Sequence, residues 1–75
     1  LDLSPQKKEL RDLAFSKMPF GKYKNVYLSD IPESYYIWFR RKGFPTGKLG
    51  RQMQAVFEMK INGLSYLLRK IRKTQ

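Results

Sequence analysis

The 75-residue chain has no cysteine and no histidine. The first absence excludes disulfide staples and thiolate zinc sites, and the second removes the usual imidazole metal ligands. Acids are also scarce, six against sixteen lysines and arginines. General acid–base catalysis or a metal site would need Asp2, Glu9, Asp12, Asp30, Glu33 or Glu58 to converge, since acid–base chemistry needs a tunable group near neutral pH and the chain has no histidine or cysteine. Each has a plainer reading. Asp30 and Glu33 look like helix caps, Glu9 and Asp12 like a solvated helix face, and Glu58 like an ion-pair partner within its own helix. The expectation is a protein that is not an enzyme and holds no metal or cofactor. No apolar run approaches the roughly 20 residues that span a bilayer, and no stretch has the order of a signal peptide, so a cytoplasmic location is expected.

What the chain does have is positive charge and aromatic rings. A formal charge of +10 creates an attractive field for polyanions over much of the surface. It is uneven: residues 40–75 hold ten basic residues and one acid, Glu58, whereas the first half is nearly neutral. A chain this short buries only about 60% of the surface its unfolded form exposes, so one small core is expected. Phe15, Phe20, Trp38, Phe39, Phe44 and Phe57 supply large area for it.

Four segments follow from the patterning. Leu3-Ser4-Pro5 opens a helix over residues 4–16, with a side-chain oxygen at the cap and proline at the first helical position. Leu10, Leu13, Ala14 and Met18 recur at helical spacing, while Lys7, Lys8 and Arg11 stay in water. Residues 19–28 alternate around Val26 and two tyrosines, which predicts a β-hairpin turning near Lys24 and Asn25, a residue that tolerates a left-handed backbone. A second helix is expected over residues 32–42, ended by Gly43 and Pro45. A third, over residues 47–72, carries Leu49, Met53, Val56, Phe57, Ile61, Leu64, Leu67, Leu68 and Ile71 on one stripe that continues in phase across Asn62-Gly63. Lys60 projects near that stripe and is expected to snorkel toward water.

The run Met18-Pro19-Phe20-Gly21-Lys22-Tyr23-Lys24-Asn25 is the most specific local feature. Lys22 and Lys24 can clamp phosphates around a stacking Tyr23, a contact in which the ring contributes about 1–3 kcal/mol. The plain alternative is a hairpin with its lysines outward and Tyr23 in the core. Arg40, Arg41 and Lys42 read either as a phosphate-binding cluster or as a cationic helix end, and Lys48 and Arg51 follow close behind in sequence. Tyr35, Tyr36, Trp38 and Phe39 are expected mainly in the core rather than as a nucleobase platform, and Arg69, Lys70, Arg72 and Lys73 as a basic tail.

The string from Met18 to Lys24, together with Leu28-Ser29-Asp30-Ile31-Pro32, Tyr35, Trp38, Lys42-Gly43-Phe44-Pro45, Leu49-Gly50 and Lys60-Ile61-Asn62-Gly63-Leu64, resembles a family of short bacterial proteins. That family is called "putative quorum-sensing-regulated virulence factor". Its name refers to regulation rather than mechanism and implies no site residues. The Phe20-to-Lys24 module is also similar to a small segment appended to exonucleases of the exonuclease X type, which implies a nucleic-acid-handling accessory without the nuclease's catalytic carboxylates.

The expected fold is thus a single α+β domain, a two-stranded hairpin against three helices, with Phe20, Trp38, Phe39, Val56, Phe57 and Leu64 at its centre. The expected function is nucleic-acid binding, to DNA or RNA, through Lys22, Tyr23, Lys24, Arg40, Arg41, Lys42, Lys48 and Arg51. The alternative is a protein-interaction module or homodimer that uses the apolar stripe of the last helix.

Overall fold

Helices account for nearly all the regular structure: α1 (Ser4–Phe15), α2 (Glu33–Lys42), α3 (Gly47–Ile61) and α4 (Tyr66–Lys73), with a 3-10 turn at Leu28–Asp30. The computed structural model describes the backbone of residues 4–73 and the side chains of residues 8–73. The expected cap at Leu3-Ser4 lies outside the described residues.

The α+β expectation is overturned, because no strand occurs among the described residues and the fold is all-helical. Where a hairpin was expected, the chain makes a closed loop on one isolated antiparallel bridge, Lys17 opposite Tyr27. The Met18 N–H donates to Val26 O at 2.9 Å and the Leu28 N–H to Ser16 O at 3.0 Å. No ladder extends from it. Two successive turns, Lys24 N–H to Gly21 O at 3.2 Å and Val26 N–H to Tyr23 O at 3.0 Å, use up the residues that strands would need. Pro19 has no N–H to add a rung, and the chain leaves the bridge directly into helix on both sides. Asn25 does take the left-handed conformation, at φ 70°.

The core joins Leu13 and Ala14 of α1, Met18, Leu28 and Ile31 of the connection, Tyr36 and Phe39 of α2, Met53, Val56 and Phe57 of α3, and Leu68 of α4. Phe39, Val56 and Phe57 are central as expected. Phe20, Trp38 and Leu64 are not, being 45%, 50% and 41% exposed. On α2 the buried pair is Tyr36 and Phe39, three residues apart, which leaves Tyr35 and Trp38 on the adjoining face.

The expected helix over residues 47–72 is two helices. Gly63 sits at φ 73°, the Leu64 N–H donates to Met59 O at 2.8 Å and the Gly63 N–H to Lys60 O at 3.1 Å. That pair of bonds is a Schellman stop, which satisfies carbonyls that α3 would otherwise leave open. Beyond it α4 packs against α1 and the 3-10 turn, and the expected stripe is interrupted at the joint, where Ile61 is 57% and Leu64 41% exposed.

Arg72 fixes that packing. Its guanidinium donates to Ala14 O at 2.7 Å and Ser29 Oγ at 2.8 Å, reaches Asp30 Oδ2 at 3.5 Å, and lies 4.1 Å from the Tyr27 ring centroid. Arg69 Nε donates to Asp30 Oδ1 at 3.1 Å. Asp30 is therefore an anchor for α4 and not a cap of α2, whose N-cap is Pro32 with no side-chain bond. Nor does Lys60 reach for water: its Nζ donates to Ser29 O at 2.8 Å. Burial lowers the Lys60 pKa, as does the Arg69 charge, against opposing pulls from Asp30 and Glu33.

The Tyr36 hydroxyl donates to Leu28 O at 2.6 Å inside the core. Burial pushes its pKa well above the ordinary phenol value. The folded state therefore holds the proton more tightly than the unfolded state. This contribution is complete below about pH 10, where an unfolded tyrosine titrates, and is lost as pH rises from there through the folded-state value. Thermal melts between neutral pH and about pH 11 should show Tm falling steeply above about pH 10. In Tyr36→Phe the baseline Tm is lower, by about 1 kcal/mol of stability, and the alkaline fall is shallower. An equally steep fall in the variant would assign it to other groups.

Candidate functional site

The closed loop and α2 together build a cleft. Gly21, at φ 79°, brings the loop so close to α2 that a Cβ there would lie 3.2 Å from the Tyr35 hydroxyl. The following residues, Lys22 and Tyr23, then form one wall and Ser34, Tyr35 and Trp38 the other, around an open space of about 330 Å³. Tyr23 meets Tyr35 edge-on at 4.8 Å between centroids. Tyr35 stacks along Trp38 at 6.3 Å with planes 12° apart, and Phe39 meets Trp38 edge-on at 5.0 Å. Lys22 Nζ stands 5.6 Å from the Tyr23 ring centroid. A cation on one wall and aromatic rings on both suit an anion that carries a flat, apolar group.

The other cations expected at the site are distributed elsewhere. Lys24 is exposed on the loop next to this cleft without lining it. Arg40 lies 5.3 Å from the Phe57 ring centroid, in a second depression with Phe44, Gln54, Glu58 and Ile61. Arg41 and Lys42 are exposed at the end of α2. Lys48 and Arg51 line a groove between α3 and α1 whose opposite wall carries Glu9 and Asp12. Of these three depressions, the one holding Lys22 has no carboxylate in its lining. Acids beside Lys48, Arg51 and Arg40 offset their pull on a phosphate, so the Lys22 cleft is the best placed for an anion.

Two features of this arrangement were missed from sequence. Trp38, assigned mainly to the core, is half-exposed in the cleft, and Ser34 joins it there. The spacing of Tyr35 and Trp38, three residues apart on α2, was the available signal. Conversely, Arg69 and Arg72 belong to the junction with Asp30 and not to a free basic tail.

The family model described as "Putative quorum-sensing-regulated virulence factor" matches residues 6–71. The chain belongs to this family. Similar proteins are the uncharacterized protein YpeB of Escherichia coli strain K12 and that of Escherichia coli O157:H7, each 45% identical over 69 residues, covering 91% of this chain and 96% of theirs. No solved structure matches the chain. Both the closed loop and the Lys22 cleft fall inside the matched region, as does the Arg72 guanidinium's acceptor Asp30, while Arg72 itself follows the last matched residue of the family model. Among the described residues no group of three carboxylates converges to hold a metal, and no helix is long and apolar enough to cross a membrane.

Proposed function

We propose that this family member is a non-enzymatic nucleic-acid-binding module whose contact surface is centred on the loop carrying Lys22, Tyr23 and Lys24. The observation that carries the reading is the cleft that sets Lys22 among Tyr23, Tyr35 and Trp38 without a carboxylate in its lining. The chain's charge of +10 supplies long-range attraction, and Arg41 and Lys42 extend the cationic surface from the far end of α2. Lys60, Arg69 and Arg72 contribute less than their charge suggests, since their head groups are tied to Ser29 and Asp30.

The competing interaction reading drew on one long apolar stripe. That stripe is divided at Gly63, and Leu67, Leu68 and Ile71 are partly or fully buried. The observation favouring nucleic-acid binding, the Lys22 cleft without a carboxylate in its lining, is local and chemical.

Fluorescence anisotropy with labelled oligonucleotides at low and physiological salt tests it, with heparin as the polyanion control. Replacing Lys22 and Lys24 together by alanine should weaken binding and reduce the slope of log affinity against log salt by about 1 to 2, the share of two phosphate contacts. Unchanged affinity and slope would remove the loop from the contact surface. Equal binding to heparin at physiological salt would reduce the attraction to generic charge.

A further inference from the structure

Resting on the nucleic-acid reading, we infer that the cleft takes one unpaired base of a single strand, stacked on Trp38, with the adjoining phosphate against Lys22. The reason lies in how the indole is held. Tyr35 runs nearly parallel to it, Phe39 braces its edge, and Phe39 is itself buried in the core. The ring is thus contacted by two neighbouring rings of its own helix while about half of Trp38 remains exposed. Fixing it in advance lowers the entropy lost when a second flat ring stacks against it.

A duplex offers almost no free base faces, because its bases already stack on one another, whereas an unpaired strand can splay a base onto an aromatic platform. The polar groups of the cleft suit the rest of a nucleotide. Lys22 carries the charge for a phosphate, and the Ser34 and Tyr23 side chains offer hydroxyls that donate or accept. No carboxylate in the lining repels the strand. A positively charged ligand, such as a lysine-rich peptide, fits poorly beside Lys22 on a chain of this net charge.

Trp38 is the chain's one tryptophan, so its emission reports on this platform alone. The experiment titrates the intact protein with a short oligothymidylate, its ribose counterpart, the same strand with abasic positions, and a blunt duplex, reading tryptophan emission and, with labelled strands, anisotropy. The single strands should quench Trp38 and bind more tightly than the duplex. The abasic strand should bind at least several-fold more weakly, and comparing the two sugars assigns DNA or RNA. Trp38→Ala should cost roughly tenfold in single-strand affinity and much less in duplex affinity, while Trp38→Tyr, which keeps an aromatic face, should lose less. Circular dichroism melts of both variants separate lost stacking from lost folding. Binding without quenching, or equal affinity for the abasic strand, would overturn the platform while leaving a phosphate-binding surface. No binding to any of the four ligands would overturn the nucleic-acid reading itself.

Discussion

Arg72→Ala is expected to destabilise the protein by about 3 kcal/mol, the cost of breaking a largely buried charge-assisted junction by removing one side. The side chain of Arg72 is only 13% exposed. Its loss takes a donor from the Ala14 carbonyl at the end of α1 and from Ser29 Oγ, and leaves the Asp30 carboxylate to Arg69 alone. Ser29 is itself buried, so a hydroxyl that loses its partner there costs free energy that water cannot return. Domains of this size have a total stability of only about 4–11 kcal/mol, so the loss is a large fraction of it and corresponds to a fall in Tm of about 12–24 °C. Arg72→Lys keeps the charge but has one nitrogen where the guanidinium reaches its acceptors from two, and loses the guanidinium's contact with the Tyr27 ring, so it should recover well under half of the loss. Urea denaturation of the three proteins measures this directly. A variant as stable as the parent would mean that α4 is held by its apolar face alone.

Gly50→Ala is the second large effect, and here two terms of opposite sign compete. In an open helix the substitution gains about 1 kcal/mol, since alanine loses less backbone freedom than glycine. At this position the new Cβ would lie 1.7 Å from Pro45 O and 2.9 Å from Pro45 C. Both are backbone atoms, with no flexible side-chain end to swing aside. The neighbouring Phe44 stacks on Phe39 at 6.1 Å and meets Phe57 at 6.5 Å, so moving Pro45 away disturbs the packing of α2 on α3. Overpacking of this kind costs about 3 kcal/mol or more, and a net loss of at least 2 kcal/mol is expected from denaturant midpoints. A stabilised variant would show that the turn before α3 can shift freely.

How far the sequence carried these conclusions differs from element to element. The bounds of α1 and α2 were readable because their stops are local: Pro19 shortly after α1, and Gly43 at the end of α2. The turn around Asn25 was readable for the same reason. The stop at Gly63 was not, because the apolar stripe of α3 and that of α4 are in phase, and periodicity cannot distinguish one bent path from two helices. The hairpin failed on length, since the alternation around Val26 was real but too few residues remained outside the turns to pair. Lys22 and Tyr23 are neighbours in the chain, and that adjacency alone sets them on one wall of the cleft. Trp38 was assigned to the core because aromatic composition does not say which ring of a cluster faces out. The role of Lys60 was invisible because its acceptor is a backbone carbonyl 31 residues away, and that of Arg72 because its acceptors, the Ala14 carbonyl and the side chains of Ser29 and Asp30, lie 58, 43 and 42 residues away. A carbonyl leaves no trace in residue type.

The span of the Arg72 contact bears on the order in which the chain assembles. Helix α4 is short, eight residues, and isolated helices of that length barely form in water. Its full docking ground combines the end of α1 with the 3-10 turn, since Ala14, Ser29 and Asp30 all receive it. The closing of the loop over residues 16–28 brings these acceptors together, so the loop and the last helix are expected to open together, which hydrogen exchange would show as matched protection of the two segments. Any ligand that held the loop closed would on that account also oppose the release of α4, at the far end of the chain, without touching it.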